Sequence, residues 1–149
     1  MAKEQDAGKV VRVEEANSFK VTGKSGVVLS GKADIVIVDE EKRHAHVIDA
    51  KSGKIKGAHW WQVFLYMISL PQSWKVKDWT FSGEIEYASH SVHLEPDVVN
   101  PKNMNRVREI MAPLTQNVEP DTAPSEAECK YCDILKCPDR YEASQADFF

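Results

Sequence analysis

Short apolar runs that alternate with polar residues fill most of the first 51 positions and recur over residues 78–96, a pattern typical of β-strands. Turn sequences such as TGKSG separate the runs. Two runs, DIVIV and HVIDA, flank the charged tip EEKR and therefore predict a β-hairpin. Residues 78–96 predict two further strands around a turn near Ser89.

Two segments have helical spacing instead. In GAHWWQVFLYMISLP, Gly57 precedes the predicted helix, apolar side chains recur three or four residues apart, and Pro71 is expected to end the helix. These apolar side chains are Trp61, Phe64, Leu65 and Ile68. NPKNMNRVREIMAPL offers Asn100 as an N-cap, Pro101 as the first helical residue and Pro113 near the end. The order strands, helix, strands, helix predicts an α/β (α+β) fold, a mixed central sheet flanked by helices.

The predicted hairpin carries aspartates where a strand interior normally carries apolar residues. If residues 40–43 form the tip, the aliphatic residues pair with one another across the two strands, and Asp34 lies opposite Asp49. Strand alternation then puts Lys51 on the same face as Asp49. Two interpretations stay open: exposed aspartates with Lys51 as an ordinary ion-pair partner, or a site for a divalent cation.

Two carboxylates beside an ammonium group suit metal-dependent hydrolysis. Hard cations such as Mg²⁺ prefer carboxylate oxygens. A bound cation polarises a phosphodiester and lowers the pKa of a water molecule, which a nearby lysine can orient. The functional interpretation is therefore a site for Mg²⁺ or Mn²⁺ at Asp34 and Asp49, with Lys51 beside it.

Three motifs, GKADIVI, VIDAKSG and QVFLY, follow one another between positions 31 and 66. With these motifs in this order, the chain resembles the PD-(D/E)XK nuclease superfamily, in its RecB-like branch. Within that branch it is similar to the CRISPR-adaptation, AddB-type and phage nucleases, but it has no apparent counterpart of their N-terminal helical part. The resemblance implies a restriction-endonuclease-like core and the hydrolysis of DNA phosphodiester bonds with Mg²⁺ or Mn²⁺.

The same resemblance implies roles for individual residues. Asp34 and Asp49 would hold the metal together with the main-chain carbonyl of Ala50, and Lys51 would be the catalytic lysine near the attacking water. The alternative is a catalytically weak or inactive nucleic-acid-binding module, or a subunit of a larger recombination or CRISPR complex. Opposed carboxylates favour the nuclease, because a pure binder has no need of them.

The predicted first helix and the loop before it add polar and basic groups. Gln62 and Tyr66 are four residues apart and share one helix face; the resemblance implies that they steady the site and the substrate, whereas the plainer interpretation is a polar fringe on a buried helix. Lys54, Lys56 and His59 lie beside two tryptophans, which suits phosphate contact and base stacking on single-stranded DNA. A solvated lysine loop followed by core tryptophans is the alternative.

Three clustered cysteines, Cys129, Cys132 and Cys137, have a metal-type spacing. They resemble the C-terminal cysteines of RecB-like nucleases that join an upstream cysteine around an iron–sulfur cluster, but no upstream cysteine exists here. A zinc or iron–sulfur site completed by another ligand, a cluster shared between chains and reduced thiols all stay open. The catalytic histidine or acid of the relatives' N-terminal part has only Glu14 and Glu15 as counterparts.

Length and charge limit the remaining possibilities. The 149 residues predict a nuclease core over residues 1–115, a linker over 116–128 and a cysteine-containing tail over 129–149. The net charge of −4 offers no overall basic field, so DNA binding would depend on the local lysines. No apolar run has the length of a membrane span or a signal peptide, and a cytoplasmic location is expected.

Overall fold

A computed structural model describes residues 8–116, 119 and 122–141 of the chain. The chain divides into two compact units, with the boundary between Thr115 and Gln116. No helix in the described ranges is long and apolar enough to cross a bilayer.

The first unit is built on two sheets. Its strands are β1 (Lys9–Val13), β2 (Ser18–Thr22), β3 (Val28–Lys32), β4 (Ile35–Asp39), β5 (His44–Lys51), β6 (Thr80–Tyr87) and β7 (Ser91–Leu94). Five of them form a mixed sheet in the order β1-β4-β5-β6-β7, in which only β5 and β6 are parallel. The other two strands, β2 and β3, form a separate hairpin.

The hairpin of β4 and β5 has the predicted register. Its tip is formed by residues 40–43, and its pairs run from Asp39 opposite His44 to Ile35 opposite Ile48. Asp34 lies just outside this ladder, so the predicted final pair with Asp49 is not formed. The main-chain carbonyl of Asp34 instead accepts a hydrogen bond from the Glu14 N–H at 3.0 Å, on the β1 side of the strand. The ladder therefore ends one residue earlier than the aliphatic pattern predicts.

The helix α1 (Gly57–Trp74) connects the parallel strands β5 and β6 and covers one face of the sheet. Its buried apolar side chains are Val63, Phe64, Tyr66, Met67 and Leu70. The helix lies so close to β6 that a Cβ atom on Gly83 would collide with Val63 Cγ1. Glycine at this position is thus a condition for the approach of α1 to the sheet.

The expectation that α1 ends at Pro71 is wrong. The proline lies within the last turn, and the helix ends at Lys75, whose backbone is left-handed with φ 55°. The Lys75 N–H donates to the carbonyls of Gln72 and Pro71. A proline costs most in a helix interior, where it removes a hydrogen bond and clashes with the preceding turn; one so near the end can be accommodated.

The second helix, α2 (Pro101–Met111), begins as its sequence predicts. Asn100 Oδ1 accepts a hydrogen bond from the Asn103 N–H at 3.0 Å, and Pro101 is the first helical residue. Val107 is its buried residue. Three short 3-10 segments complete the unit: Glu14–Asn17, Pro96–Val98 and Ala112–Thr115.

The second unit contains one short helix, α3 (Glu126–Lys130), within its described residues. Ser125 caps this helix by accepting a hydrogen bond from the Glu128 N–H at 3.3 Å. The predicted boundary between linker and tail, after residue 128, falls inside α3. Much of the predicted tail, residues 142–149, lies outside the described residues.

Candidate active site

Asp49 is the most unusual residue of the central sheet. It occupies an inward-facing position of β5, following the buried Ala45 and Val47 on the face that α1 covers. Only 1% of Asp49 is exposed, and apart from the contact of Lys51 Nζ with Oδ2 its carboxylate oxygens have no hydrogen-bond donor in the described part of the chain. A buried charge without hydrogen bonds is costly unless a counter-charge compensates it. Asp49 is therefore a carboxylate with unused ligand capacity.

Lys51 supplies part of that compensation. Its Nζ lies 2.9 Å from Asp49 Oδ2, and 23% of its side chain is exposed. This contact is a close ion pair, and it leaves Asp49 Oδ1 without a donor among the described residues. Desolvation opposes the charged form of Lys51, but attraction to Asp49, helped by Tyr66 and Asp34, prevails and raises its pKa. Lys51 is thus a fixed positive charge at neutral pH.

Asp34 lies at the entrance to β4 and is exposed. Its charge contributes to the raised pKa of both Lys51 and Tyr66, which places its carboxylate within electrostatic reach of Asp49's surroundings. The structure therefore brings Asp34, Asp49 and Lys51 to the same end of the hairpin, although the two aspartates are not paired across it.

Asn17 fixes the chain just before Asp34, a role that the sequence did not suggest. This buried side chain donates hydrogen bonds through Nδ2 to the carbonyls of Arg12, at 2.9 Å, and Ala33, at 3.2 Å. It ties the chain just before β4 to the end of β1, and Ala33 lies 16 residues after Asn17 in the sequence. The sequence signal for this role is an asparagine after a strand. Asparagine is also common in turns, so the residue alone could not reveal that its side chain is buried.

The N-terminal acids take different positions. Glu14 lies beside Asp34, since its N–H is bonded to that residue's carbonyl, and its φ of 42° is in the left-handed region. Glu15 pairs with Lys32 at 2.9 Å. Of the two, Glu14 is the one whose main chain adjoins the candidate site.

Gln62 and Tyr66 lie together on α1, as their spacing predicts. Gln62 Nε2 donates a hydrogen bond to the Tyr66 hydroxyl at 2.7 Å. Burial raises the pKa of Tyr66, and the charges of Asp49 and Asp34 raise it further against the opposing effects of Gln62 and Lys51. Tyr66 therefore remains a neutral phenol, and its hydroxyl lies within electrostatic reach of both carboxylates.

The loop between β5 and α1 carries the predicted basic residues. Lys54 and Lys56 are exposed. His59 Nδ1 lies 2.8 Å from the hydroxyl of Tyr87, at the end of β6. Tyr87 lies opposite Lys51 in the parallel register, and it was missed because the parallel pairing of β5 and β6 cannot be read from either segment alone.

The two tryptophans at the start of α1 are half-buried. The ring of Trp60 stacks on Phe64, with the centroids 5.4 Å apart and the planes 10° from parallel. Trp61 lies nearly perpendicular to both rings. Trp60 therefore packs against the hydrophobic core.

Ala50 lies at the mouth of the candidate site. It is exposed and, with Lys51, helps to line an open depression of about 490 Å³ that continues to Glu86 and Tyr87. This depression runs along the ends of β5 and β6. A phosphate group approaching Lys51 has room there.

A separate polar group lies on the other face of the sheet, since neighbouring residues of a strand point to opposite faces. His46 Nε2 lies 3.0 Å from Glu84 Oε2, and its Nδ1 lies 2.6 Å from Ser82 Oγ. The hydrogen bond with His46 is the main cause that lowers the pKa of Glu84, against the effect of burial. This group is structurally distinct from the carboxylates near α1.

The cysteines of the second unit are free thiols. Cys132 is exposed, and Cys129 and Cys137 are half-buried. Cys129 Sγ accepts a hydrogen bond from the Tyr141 N–H at 3.4 Å. Within the described residues, no group of three or more histidine, cysteine, aspartate or glutamate side chains is arranged to hold a metal ion.

Comparison with known proteins gives a family. The family model of the PD-(D/E)XK nuclease superfamily matches residues 1–137. The crystal structure of SSO0001 aligns with this chain at a TM-score of 0.46 and 17% sequence identity. That alignment covers 89% of this chain and 62% of SSO0001, so the chain falls well short of that protein's full length. No curated protein matches the sequence significantly.

Proposed function

The chain belongs to the PD-(D/E)XK nuclease superfamily, and on that premise we propose that it hydrolyses phosphodiester bonds of DNA with Mg²⁺ or Mn²⁺ at Asp34 and Asp49. One observation carries the proposal. Asp49 is a buried carboxylate that has no hydrogen-bond donor among the described residues apart from Lys51, whose Nζ lies 2.9 Å from Oδ2. A core aspartate kept only for structure would be expected to use its oxygens as acceptors.

The residues present fit a hard divalent cation. Mg²⁺ binds through one or two carboxylates and keeps several of its waters. Asp49 would supply one ligand from the buried side, Asp34 a second from the exposed side, and the main-chain carbonyl of Ala50 a third. When bound, such an ion supplies polarisation of the phosphodiester and acidifies a water molecule.

The protein's own side chains would position the substrate and the attacking water. Lys51, positively charged, would offset the charge of the scissile phosphate and hold the attacking water by a hydrogen bond. Gln62 would fix the hydroxyl of Tyr66, so that this neutral donor faces the substrate. Lys54 and Lys56 would contact neighbouring phosphates, which fix the register of the strand without reading its sequence.

Within the superfamily, we assign the chain to the RecB-like branch. Support comes from the succession of Asp34, the Asp49-x-Lys51 pair and the Gln62-x-x-x-Tyr66 pair on β4, β5 and α1. His59 would act at the edge of this site, where its bond to the Tyr87 hydroxyl orients the ring.

The experiment is a cleavage assay on linear and circular, single- and double-stranded DNA, with Mn²⁺, with Mg²⁺ and with EDTA. We expect metal-dependent cleavage by the wild type, none by Asp49→Asn, and a loss of about 100-fold or more in Lys51→Met. Asp39→Asn is the matched control, because Asp39 is also a buried aspartate of the hairpin and an asparagine still accepts the hydrogen bond from the Lys42 N–H.

Two results would contradict the proposal. Metal-dependent cleavage by Asp49→Asn that equals the wild type would remove the assigned site. DNA binding by the folded wild type without cleavage under any metal would favour the binding module instead. Circular dichroism of each variant shows whether it is folded.

A further inference from the structure

A large apolar cavity lies beside the candidate site. It lies between the β2–β3 hairpin, α1 and α2, all within the first unit, and has a volume of about 530 Å³. Among the described side chains that line it, all are apolar except those of Ser30, Gln62 and Tyr66. We call it the aromatic cavity, after the three aromatic side chains in its wall, Phe19, Trp61 and Tyr66.

Tyr66 connects this cavity to the carboxylates. Its ring lines the aromatic cavity and meets Phe19 edge to face, with the ring centroids 5.8 Å apart. Its hydroxyl is bonded to Gln62 and interacts electrostatically with Asp49 and Lys51. Tyr66 is therefore shared by the wall of the aromatic cavity and the surroundings of the carboxylates.

The side of α1 that lines the aromatic cavity is suited to a flat polar ring. Ala58, Trp61, Gln62 and Leu65 recur at helical spacing and all contribute to the wall. Gln62 uses its Nε2 on Tyr66, so its carbonyl oxygen is left as an acceptor for an amino group. The cavity has the volume typical of small-molecule sites, about 300–1,000 Å³.

We propose that the aromatic cavity receives one unstacked base of the substrate strand, next to the phosphate held at Asp49 and Lys51, with Trp61 as its stacking surface. This inference rests on the proposed nuclease function and extends it to the class of substrate. The shared Tyr66 favours a nucleotide over a protein segment, because the exposed Lys54 and Lys56 in the loop just before α1 are cations that could contact its phosphates. A base inside a duplex would have to leave its stack first, so the substrate is single-stranded or locally unpaired DNA.

The test measures binding without cleavage. Fluorescein-labelled 12-nucleotide single strands, each with one abasic site moved a position at a time, are titrated with the full chain in Ca²⁺ and followed by anisotropy. Removing one stacked base weakens binding by roughly 5- to 150-fold. We expect a loss of about tenfold at one position for the wild type, and less than about twofold at the others.

Two variants show whether the aromatic cavity causes that loss. Trp61→Leu removes the stacking surface, and Ala58→Phe fills the cavity from an exposed position without removing any core packing. Both should bind the intact strand as weakly as the wild type binds the critical abasic strand, and should be insensitive to the abasic site. Trp79→Leu is the matched control, because Trp79 is also half-buried but lines a different cavity, beside Pro71 and Pro96. It should behave as the wild type does.

The outcomes separate this inference from the proposed function. A position-specific loss that Ala58→Phe removes supports the base site, even if the wild type cleaves no DNA, and in that case only the catalytic proposal fails. Cleavage with no sensitive position, or a sensitive position that persists in Ala58→Phe, overturns the base site and leaves the nuclease intact. Equal affinity for blunt duplex and single strand also overturns it.

Discussion

Replacing Lys51 by methionine should destabilise the metal-free protein far more than an ordinary surface substitution does. Lys51 Nζ lies 2.9 Å from Asp49 Oδ2, and the Asp49 oxygens have no other hydrogen-bond donor among the described residues. Losing the partner of a buried charge costs about 3–5 kcal/mol. Because the Lys51 side chain is 23% exposed, water weakens the pair, and we expect a loss near 3 kcal/mol, roughly the lower end of that range.

For a chain of 149 residues, that loss corresponds to a fall of about 6–12 °C in Tm. Urea unfolding in EDTA, followed by tryptophan fluorescence, measures the free energy of unfolding. The double variant Asp49→Asn with Lys51→Met should regain most of the loss, because the uncompensated charge is gone. Mn²⁺ should stabilise Lys51→Met more than the wild type, since a bound cation would replace the missing ammonium charge.

A loss below about 1 kcal/mol, within the range of ordinary substitutions, would refute the reasoning. So would a double variant no more stable than Lys51→Met. Either result would mean that Asp49 is not a buried charge held in place by its lysine, and the argument for a cation at this carboxylate would fall with it.

Two further predictions concern the sheet that carries the site. Gly83→Ala should lower the free energy of unfolding in urea by about 1–3 kcal/mol, because the added Cβ would collide with Val63 Cγ1. Gly57→Ala, with open space around it, should cost nothing, and equal stabilities of the two variants would show that α1 yields without strain. The pKa of Glu84 is lowered from its ordinary 4.5 mainly by the hydrogen bond with His46, so its contribution to stability is present above pH 4.5 and is lost as the pH falls through the folded-state pKa. Glu84→Gln should therefore flatten the acid limb of Tm against pH between pH 6 and 3, and an unchanged limb would contradict this assignment.

The local features of the fold could be predicted from the sequence. The tip over residues 40–43 and the alternation of aliphatic residues determine the register of β4 and β5, because a slip of one residue would turn every buried side chain to the other face. The start of α2 was equally clear, since Asn100 and Pro101 each have one natural place at a helix N-terminus. The proximity of Asp49 and Lys51 could be predicted from strand alternation alone.

Features that depend on distant partners could not be predicted. Asp34 lies outside the β4–β5 ladder, with its carbonyl bonded to the Glu14 N–H, and Asn17 holds the preceding residue. Both contacts join residues on either side of the whole β2–β3 hairpin. The aromatic cavity is assembled from a hairpin and two helices far apart in sequence. At Pro71 a local preference was misleading instead: proline favours the end of a helix, but α1 continues past it to Trp74.

The shape of the β4–β5 hairpin has a practical consequence for handling the protein. Asp34 and Asp49 lie at its open end, whereas residues 40–43 close the other end, and the five residues of β4 span roughly 15 Å between them. The Arg43 carbonyl accepts the Thr80 N–H at 3.0 Å, so the return strand is anchored at its first residues. A dye, an affinity tag or a surface linker attached at Glu41 would thus report on or immobilise the molecule while leaving the end of the hairpin that carries Asp34 and Asp49 untouched.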